Sequence, residues 1–121
     1  MPESNREGVR AFLRRFKSIA APRGIYFVDR EETDQTLVQL GLTRGNCKEE
    51  ILALSVLDYV DGPLPDINRT GHVWIFGKTI HGVEVYIKLK LVDTEEVDGL
   101  KPAASPLALA GGDKAGILGR L

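Results

Sequence analysis

Residues 72–92 read HVWIFGKTIHGVEVYIKLKLV, and this stretch decides the fold. Two β-rich runs, 72–80 and 83–92, are separated by His81-Gly82, a dipeptide typical of a two-residue hairpin turn. If that dipeptide forms the loop, the turn sets which residues of the two strands pair with each other. The expected pairs include Ile80 with Val83, Phe76 with Ile87 and Trp74 with Leu89.

This register sorts the hairpin into an apolar face and a mixed face, because successive strand residues point to opposite sides. The apolar face should be buried beneath helices. On the mixed face, Gly77 stands opposite Tyr86, so we expect the phenol to lie uncovered. The apolar face carries Trp74, Phe76, Ile80, Val83, Val85, Ile87, Leu89 and Leu91.

Helices that could cover the sheet are predicted before the hairpin. Apolar residues recur at helical spacing over 9–20, and Pro22 and Gly24 follow as stop signals. A second, short helix should end at Gly41, and Thr43 can cap a third. With a short strand at 25–28, the sequence predicts an α+β fold, a small antiparallel sheet packed against two to three helices.

Two segments show no pattern of regular structure. Residues 58–70 contain two prolines and a glycine and are predicted to form an exposed loop. Residues 97–121 are rich in Ala, Gly and Pro and have no sustained period, which indicates a weakly ordered C-terminal tail. The expected domain therefore spans 4–96, and 97–121 lies outside it.

Composition excludes several classes of protein. Of the 121 residues 43% are hydrophobic and 27% charged, and the single Cys and two His rule out an internal disulfide and a Cys- or His-rich metal site. We expect no metal and no cofactor. The longest apolar run is too short to cross a bilayer, and no secretory signal is recognisable. No membrane association and a cytoplasmic location are the resulting expectations.

The net charge of −1 conceals a strong sorting of charge along the chain. Residues 1–30 hold seven Lys or Arg against three Asp or Glu, and 69–92 hold four against one. Residues 31–68 hold two against eight. Two basic blocks could therefore form a nucleic-acid footprint on a nearly neutral protein, unless these charges are only scattered over solvated faces.

The mixed face of the hairpin is the best candidate for chemistry. Tyr86, Lys88 and Lys90 occupy alternate positions of one strand and project from one face at steps of roughly 7 Å. Such a row suits a phosphodiester, because ammonium groups stabilise the charge of the transition state and a phenol can transfer a proton. The alternative is that these lysines are simply the solvated side of an amphipathic strand.

Other candidates lie around this row. Lys78 is on the neighbouring strand and points by parity to the other face unless a bulge turns it. His72 could act as a general base or be an ordinary strand-end residue, and Arg69 could grip an RNA backbone or belong to a plain loop. Arg10 and Arg14 lie off the apolar stripe of the first helix, where they could steer RNA.

Several motifs occur in the order typical of one known family. Trp-x-Phe-Gly-Lys at 74–78 and Val-Tyr-Ile-Lys-Leu-Lys-Leu at 85–91 are the most specific. They follow Gly-Leu-Thr at 41–43, Ile-Leu-Ala-Leu at 51–54, Leu-Asp-Tyr at 57–59 and Gly-Pro at 62–63. Over about 9–92 the chain resembles the MqsR family of bacterial toxins.

The resemblance implies a RelE-like fold and a metal-independent endoribonuclease that cleaves mRNA and inhibits growth until a cognate antitoxin protein binds it. The tyrosine of the family's active site falls on Tyr86, and its lysine falls on Lys88. The chain also departs from the family. Asp61 stands near the place of a family lysine, Ile75 or Phe76 replaces a Gln, and 97–121 lacks the pattern of the family's closing strand.

The predicted site combines these arguments. Tyr86, Lys88 and Lys78 are the predicted catalytic residues, and mRNA is the predicted substrate. The residues predicted to bind RNA are Lys90, Arg69, Arg10, Arg14 and His72. The alternative function is a non-catalytic module that binds RNA or an antitoxin and has lost the last catalytic strand.

Overall fold

The computed structural model describes residues 3–28, 30–66, 71–93 and 100–109. In these residues the chain forms three α-helices, one short 3-10 helix and five strands. The helices are α1 (Glu3–Arg23), α2 (Arg30–Leu40) and α3 (Arg44–Leu52), and the 3-10 helix is Val56–Asp58. The strands are β1 (Tyr26–Phe27), β2 (Tyr59–Pro65), β3 (His72–Ile80), β4 (Val83–Asp93) and β5 (Leu100–Leu109).

The strands form one sheet in the order β1-β5-β4-β3-β2. Every neighbouring pair is antiparallel except β1 with β5, which run parallel. The helices pack against one face of this sheet. The predicted α+β fold class, a small, largely antiparallel sheet against helices, is confirmed.

The β3–β4 hairpin has the register predicted from its turn. Ile80 pairs with Val83, and the ladder continues to Trp74 opposite Leu89. His81 and Gly82 both have positive φ, 49° and 77°, as a primed two-residue turn requires. The twist of such a turn matches the twist of the strands, so the local sequence alone fixed which residues face each other.

The helices also follow their sequence signals. Thr43 caps α3, and its hydroxyl accepts a hydrogen bond from the Asn46 amide at 3.0 Å. Trp74 lies on the helix side of the sheet and stacks on Phe12 of α1, with ring centroids 4.6 Å apart. No helix in the described part of the chain is both long enough and apolar enough to cross a membrane.

The main core lies between the helices and the apolar side of the sheet, which we call the helix face. The helices contribute apolar side chains from positions that recur at helical spacing. Its fully buried members include Val9, Phe16, Ile51, Phe76, Val85, Ile87 and Leu89.

The predicted loop at 58–70 is wrong over 59–65, which form β2. This strand lies at the edge of the sheet, and its register with β3 shifts twice. Prolines are tolerated at such an edge, because an edge strand has unpaired backbone positions. Gly62 has φ 122°, and a Cβ there would lie 2.8 Å from the Val73 carbonyl oxygen. Residues 67–70 lie outside the described part of the chain.

The predicted tail is also wrong over 100–109, which form β5 between β1 and β4. All ten residues of β5 pair with β4. Pro102 and Pro106 are compatible with this position because β1 pairs only with Ala103 and Ala104, so most of β5 is an edge on that side. Ala103, Ala104 and Pro106 are buried. Residues 110–121, the rest of the predicted tail, lie outside the described residues.

Candidate functional site

The side of the sheet opposite the helices carries two of the predicted catalytic residues, Tyr86 and Lys88. We call this side the Tyr86 face. Because strand residues alternate, Glu84, Tyr86 and Lys88 of β4 all point to this side. The face has a small apolar cluster of its own, separate from the main core. Its members are Ile75, Tyr86, Val60, Leu64 and Leu107.

Tyr86 is buried, with only 3% of its surface exposed, so the prediction of an uncovered phenol is wrong. The position of Gly77 opposite Tyr86 was predicted correctly, but its effect is the reverse of the expected one. The tyrosine ring packs down onto the glycine, where a Cβ would lie 3.0 Å from Tyr86 Cε1 and 3.3 Å from Val60 Cγ2. A glycine on a strand thus creates a space that a cross-strand aromatic ring fills.

The Tyr86 hydroxyl donates a hydrogen bond to Glu84 Oε1 at 2.9 Å. Burial of the phenol, together with the hydrogen bond to and the negative charge of Glu84, raises the pKa of Tyr86 to about 12. The phenol is therefore fully protonated at neutral pH and can act as a hydrogen-bond donor but not as a base. Glu84 itself is half-buried and is more exposed than Tyr86.

The two lysines of the β4 row differ in their surroundings. Lys90 is paired with Asp66 at 2.9 Å, and its side chain is 12% exposed. Asp66 therefore neutralises this ammonium and competes with a phosphate for it. Lys88 is half-buried, and among the described residues no carboxylate oxygen lies within 4.0 Å of its ammonium group. Lys88 is thus the lysine of this row whose charge is open to an anionic ligand.

Lys78 does not join this group. It lies on the helix side of β3, as its parity predicted, and pairs with Glu50 of α3 at 2.6 Å. Its side chain is 19% exposed. The sheet separates this ammonium from Tyr86 and Lys88, so the three predicted catalytic residues do not form one cluster.

The predicted RNA-binding residues are also divided between the two sides. Arg10 and Arg14 are exposed on α1, which packs on the helix face. His72 is exposed at the first residue of β3, opposite Pro65. Arg69 lies outside the described residues. Of these candidates, only Lys90 lies on the strand that carries Tyr86 and Lys88.

Sequence reasoning missed Glu84 as a member of the site. The signal was present, because Glu84 and Tyr86 are two residues apart on one strand and must share a face. It also missed Ser105, the cross-strand partner of Lys88 on β5, since no strand was predicted there. Glu84, Tyr86, Lys88 and Ser105 together form the candidate site.

This site offers a carboxylate, a hydroxyl and an ammonium group along one strand. In the part of the chain that the structure describes, no group of three or more His, Cys, Asp or Glu side chains could hold a metal ion. The comparisons with known proteins give no further guide. No protein-family model, no curated protein and no solved structure matches this chain.

Proposed function

We propose that this protein is the toxin of a type II toxin–antitoxin system, a metal-independent endoribonuclease that cleaves mRNA. The proposal rests on the ordered motifs shared with the MqsR family and on one structural observation. Strand β5 pairs with β4 over ten residues and lies beside the candidate site, between β4 and β1. The absence of such a closing strand was the largest departure from the family pattern.

The Tyr86 face supports a reaction at a phosphodiester. Lys88 presents a positive charge that no described carboxylate neutralises, and such a charge stabilises the transition state of phosphoryl chemistry. Glu84 and Tyr86 lie on the same side of the strand. In this mechanism the ribose 2′-hydroxyl attacks the adjacent phosphorus, and the products carry a 2′,3′-cyclic phosphate and a 5′-hydroxyl. RNA would lie along β4, and its backbone would meet the Lys88 ammonium.

The arginines of α1 would contribute to RNA affinity without contacting the bond that is cut. Arg10 and Arg14 are one helical turn apart and exposed, so their guanidinium groups can attract a phosphate backbone. The sheet and the core lie between them and Lys88. Their role in the proposal is therefore long-range attraction of RNA.

The experiment combines toxicity with direct analysis of the RNA products. Induced expression of the wild-type chain should arrest bacterial growth. The purified protein should cut a single-stranded RNA of varied sequence. Product ends should be a 2′,3′-cyclic phosphate and a 5′-hydroxyl, in the presence of a metal chelator. Lys88→Met should reduce the cleavage rate by ~10²–10³-fold, because a charge partner of the transition state is lost.

Lys48→Met is the matched control for that substitution. Lys48 lies on α3, far in the fold from the Tyr86 face, and donates to the Ala21 carbonyl at 3.0 Å. This variant should cleave RNA at the wild-type rate per folded molecule. Intact RNA with the wild-type protein, or equal losses in the two lysine variants, would contradict the proposal.

A second candidate function is favoured by the burial of Tyr86. A phenol that is 3% exposed and packed on Gly77 has an evident structural role. The chain would then be a non-catalytic module that binds RNA or a cognate antitoxin. The same experiment distinguishes the two functions. The non-catalytic module would bind single-stranded RNA or a cognate antitoxin without producing any new RNA ends.

A further inference from the structure

The contact between Tyr86 and Glu84 assigns different roles to the two residues. The phenol lies beneath the surface in a cluster with Ile75, Val60 and Leu64, and its hydroxyl points to Glu84 Oε1. The carboxylate is the more exposed member of the pair. An RNA strand on this face would therefore meet Glu84 before it met the phenol.

The phenol is also unable to take a proton at neutral pH, since it is already protonated and its proton is engaged in the hydrogen bond. A carboxylate has two oxygens and can accept several hydrogen bonds, so Glu84 Oε2 remains able to accept one from a ligand. The hydrogen bond from Tyr86 holds the carboxylate in one orientation. The buried ring thus positions an acceptor at the surface of the sheet.

We infer that Glu84 is the general base of the proposed ribonuclease, that Tyr86 is a positioning residue, and that Lys88 supplies the acid. This inference rests on the proposed function. Glu84 and Lys88 are four residues apart on an extended strand, so their Cα atoms are roughly 13 Å apart. Because the lysine side chain is long, its ammonium can approach the Glu84 carboxylate until the distance between them equals the width of one phosphodiester.

The reaction balances with these three side chains. Glu84 Oε2 takes the proton of the ribose 2′-hydroxyl, and the 2′-oxygen forms a bond to phosphorus. The bond between phosphorus and the 5′-oxygen breaks, and the departing oxygen receives a proton from the Lys88 ammonium. Water then removes the proton from Glu84 and restores that of Lys88. No oxidant, reductant or further reactant is needed.

The test is the pH profile of kcat/KM for cleavage of a single-stranded RNA on the acid side of neutrality, where protonation of a catalytic base lowers the rate. The wild-type profile should rise with pH, as expected for a reaction that needs a general base. Glu84→Gln should lower the rate by ~10²–10⁴-fold and abolish this rise. Tyr86→Phe should lower the rate less and keep the rise, because the carboxylate remains. Glu49→Gln on the exposed side of α3 is the matched control and should behave as wild type.

A second readout does not depend on cleavage. Titration of the Tyr86 ring by carbon-13 NMR should show its pKa falling in Glu84→Gln from about 12 in the wild type, while burial of the ring keeps it above the ordinary value of about 10. A pKa that stays above the ordinary value shows that the variant is still folded around the ring, because an unfolded chain would lose the effect of burial. If the wild type cleaves RNA and Glu84→Gln retains the rate and the pH-dependent rise, the inference is overturned while the proposed function stands. If the wild type cleaves no RNA, both are overturned.

Discussion

The two faces of strand β4 differ in how far their side chains are buried. On the helix face, Val85, Ile87 and Leu89 are completely buried in one large apolar core. On the Tyr86 face, Glu84, Tyr86 and Lys88 alternate with them along the same strand, and only the tyrosine is buried. The side chains of β4 on the helix face therefore belong to the main core. On the second face, the ring that stabilises a small cluster also holds the carboxylate of the candidate site.

Burial alone therefore does not distinguish a side chain that only fills a core from one that also contacts the candidate site. Tyr86 packs on Gly77 as a core residue would, yet its hydroxyl is hydrogen-bonded to a half-exposed carboxylate. A change on the helix face should alter stability without changing chemistry per folded molecule. A change on the Tyr86 face should alter both. Three measurements test this difference between the two faces.

The largest effect is expected from neighbouring residues of β3 that point to opposite faces. Phe76 and Ile75 are both completely buried, in the main core and in the Tyr86 cluster respectively. Phe76→Ala should lower the free energy of unfolding by ~3–5 kcal/mol, because it leaves a large cavity between sheet and helices. Ile75→Ala should cost ~2 kcal/mol, since the smaller cluster can relax. Urea unfolding measures both, and equal costs would show that the two faces are packed alike.

A second measurement uses one buried titratable group from each side of the sheet. Burial raises the pKa of Tyr86 to about 12 and, on the helix side, that of Cys47 to about 11, with Glu50 adding to the latter. The fold favours the neutral form of both groups. Their contribution to the free energy of unfolding is therefore complete below the ordinary pKa of each, about 10 for Tyr86 and about 9 for Cys47. Stability should fall as pH rises from about 9 to 12, by roughly 2 kcal/mol for each group.

Single substitutions show which face of the sheet causes the loss of stability at alkaline pH. Tyr86→Phe should remove the part that develops between about pH 10 and pH 12, and Cys47→Ala the part between about pH 9 and pH 11. Urea unfolding of the wild type and both variants at pH 8 and at successive alkaline pH values measures this. An alkaline slope that is the same in all three proteins would show that neither group is held as the structure indicates.

The smallest effect is expected at Gly77. An added Cβ would meet Tyr86 Cε1 at 3.0 Å and Val60 Cγ2 at 3.3 Å, so Gly77→Ala should overpack the Tyr86 face. Part of that cost is offset by the lower backbone entropy of alanine in the unfolded chain. The expected net loss of unfolding free energy is ~1 kcal/mol.

Gly8→Ala is the matched control, because Gly8 lies in α1 and a Cβ there would meet nothing within 4 Å. That substitution should raise stability by ~0.5–1 kcal/mol. A stabilising effect at both glycines would show that the ring does not rest on Gly77. The cleavage rate per folded molecule should also fall in Gly77→Ala but not in Gly8→Ala, since only the former displaces Tyr86.

The hairpin and the helices could be predicted because their signals are local. The turn at His81 fixes the register of β3 and β4, and Thr43 caps α3 through a residue three positions away. The candidate site could be predicted in part for the same reason. Residues that alternate on one strand share a face whatever surrounds them, so Tyr86 and Lys88 were placed together, whereas Glu84 was overlooked.

The hairpin register, the helix positions and the separation of Lys78 from Tyr86 follow from residues close together in the chain, so they can be predicted from the sequence. Contacts between distant segments make β2 and β5 strands, bury Tyr86 and pair Lys90 with Asp66. Ala- and Pro-rich segments have little intrinsic preference for a strand. They become strands here because β3 and β4 present unpaired backbone groups that must find partners, and partners distant in sequence supply them.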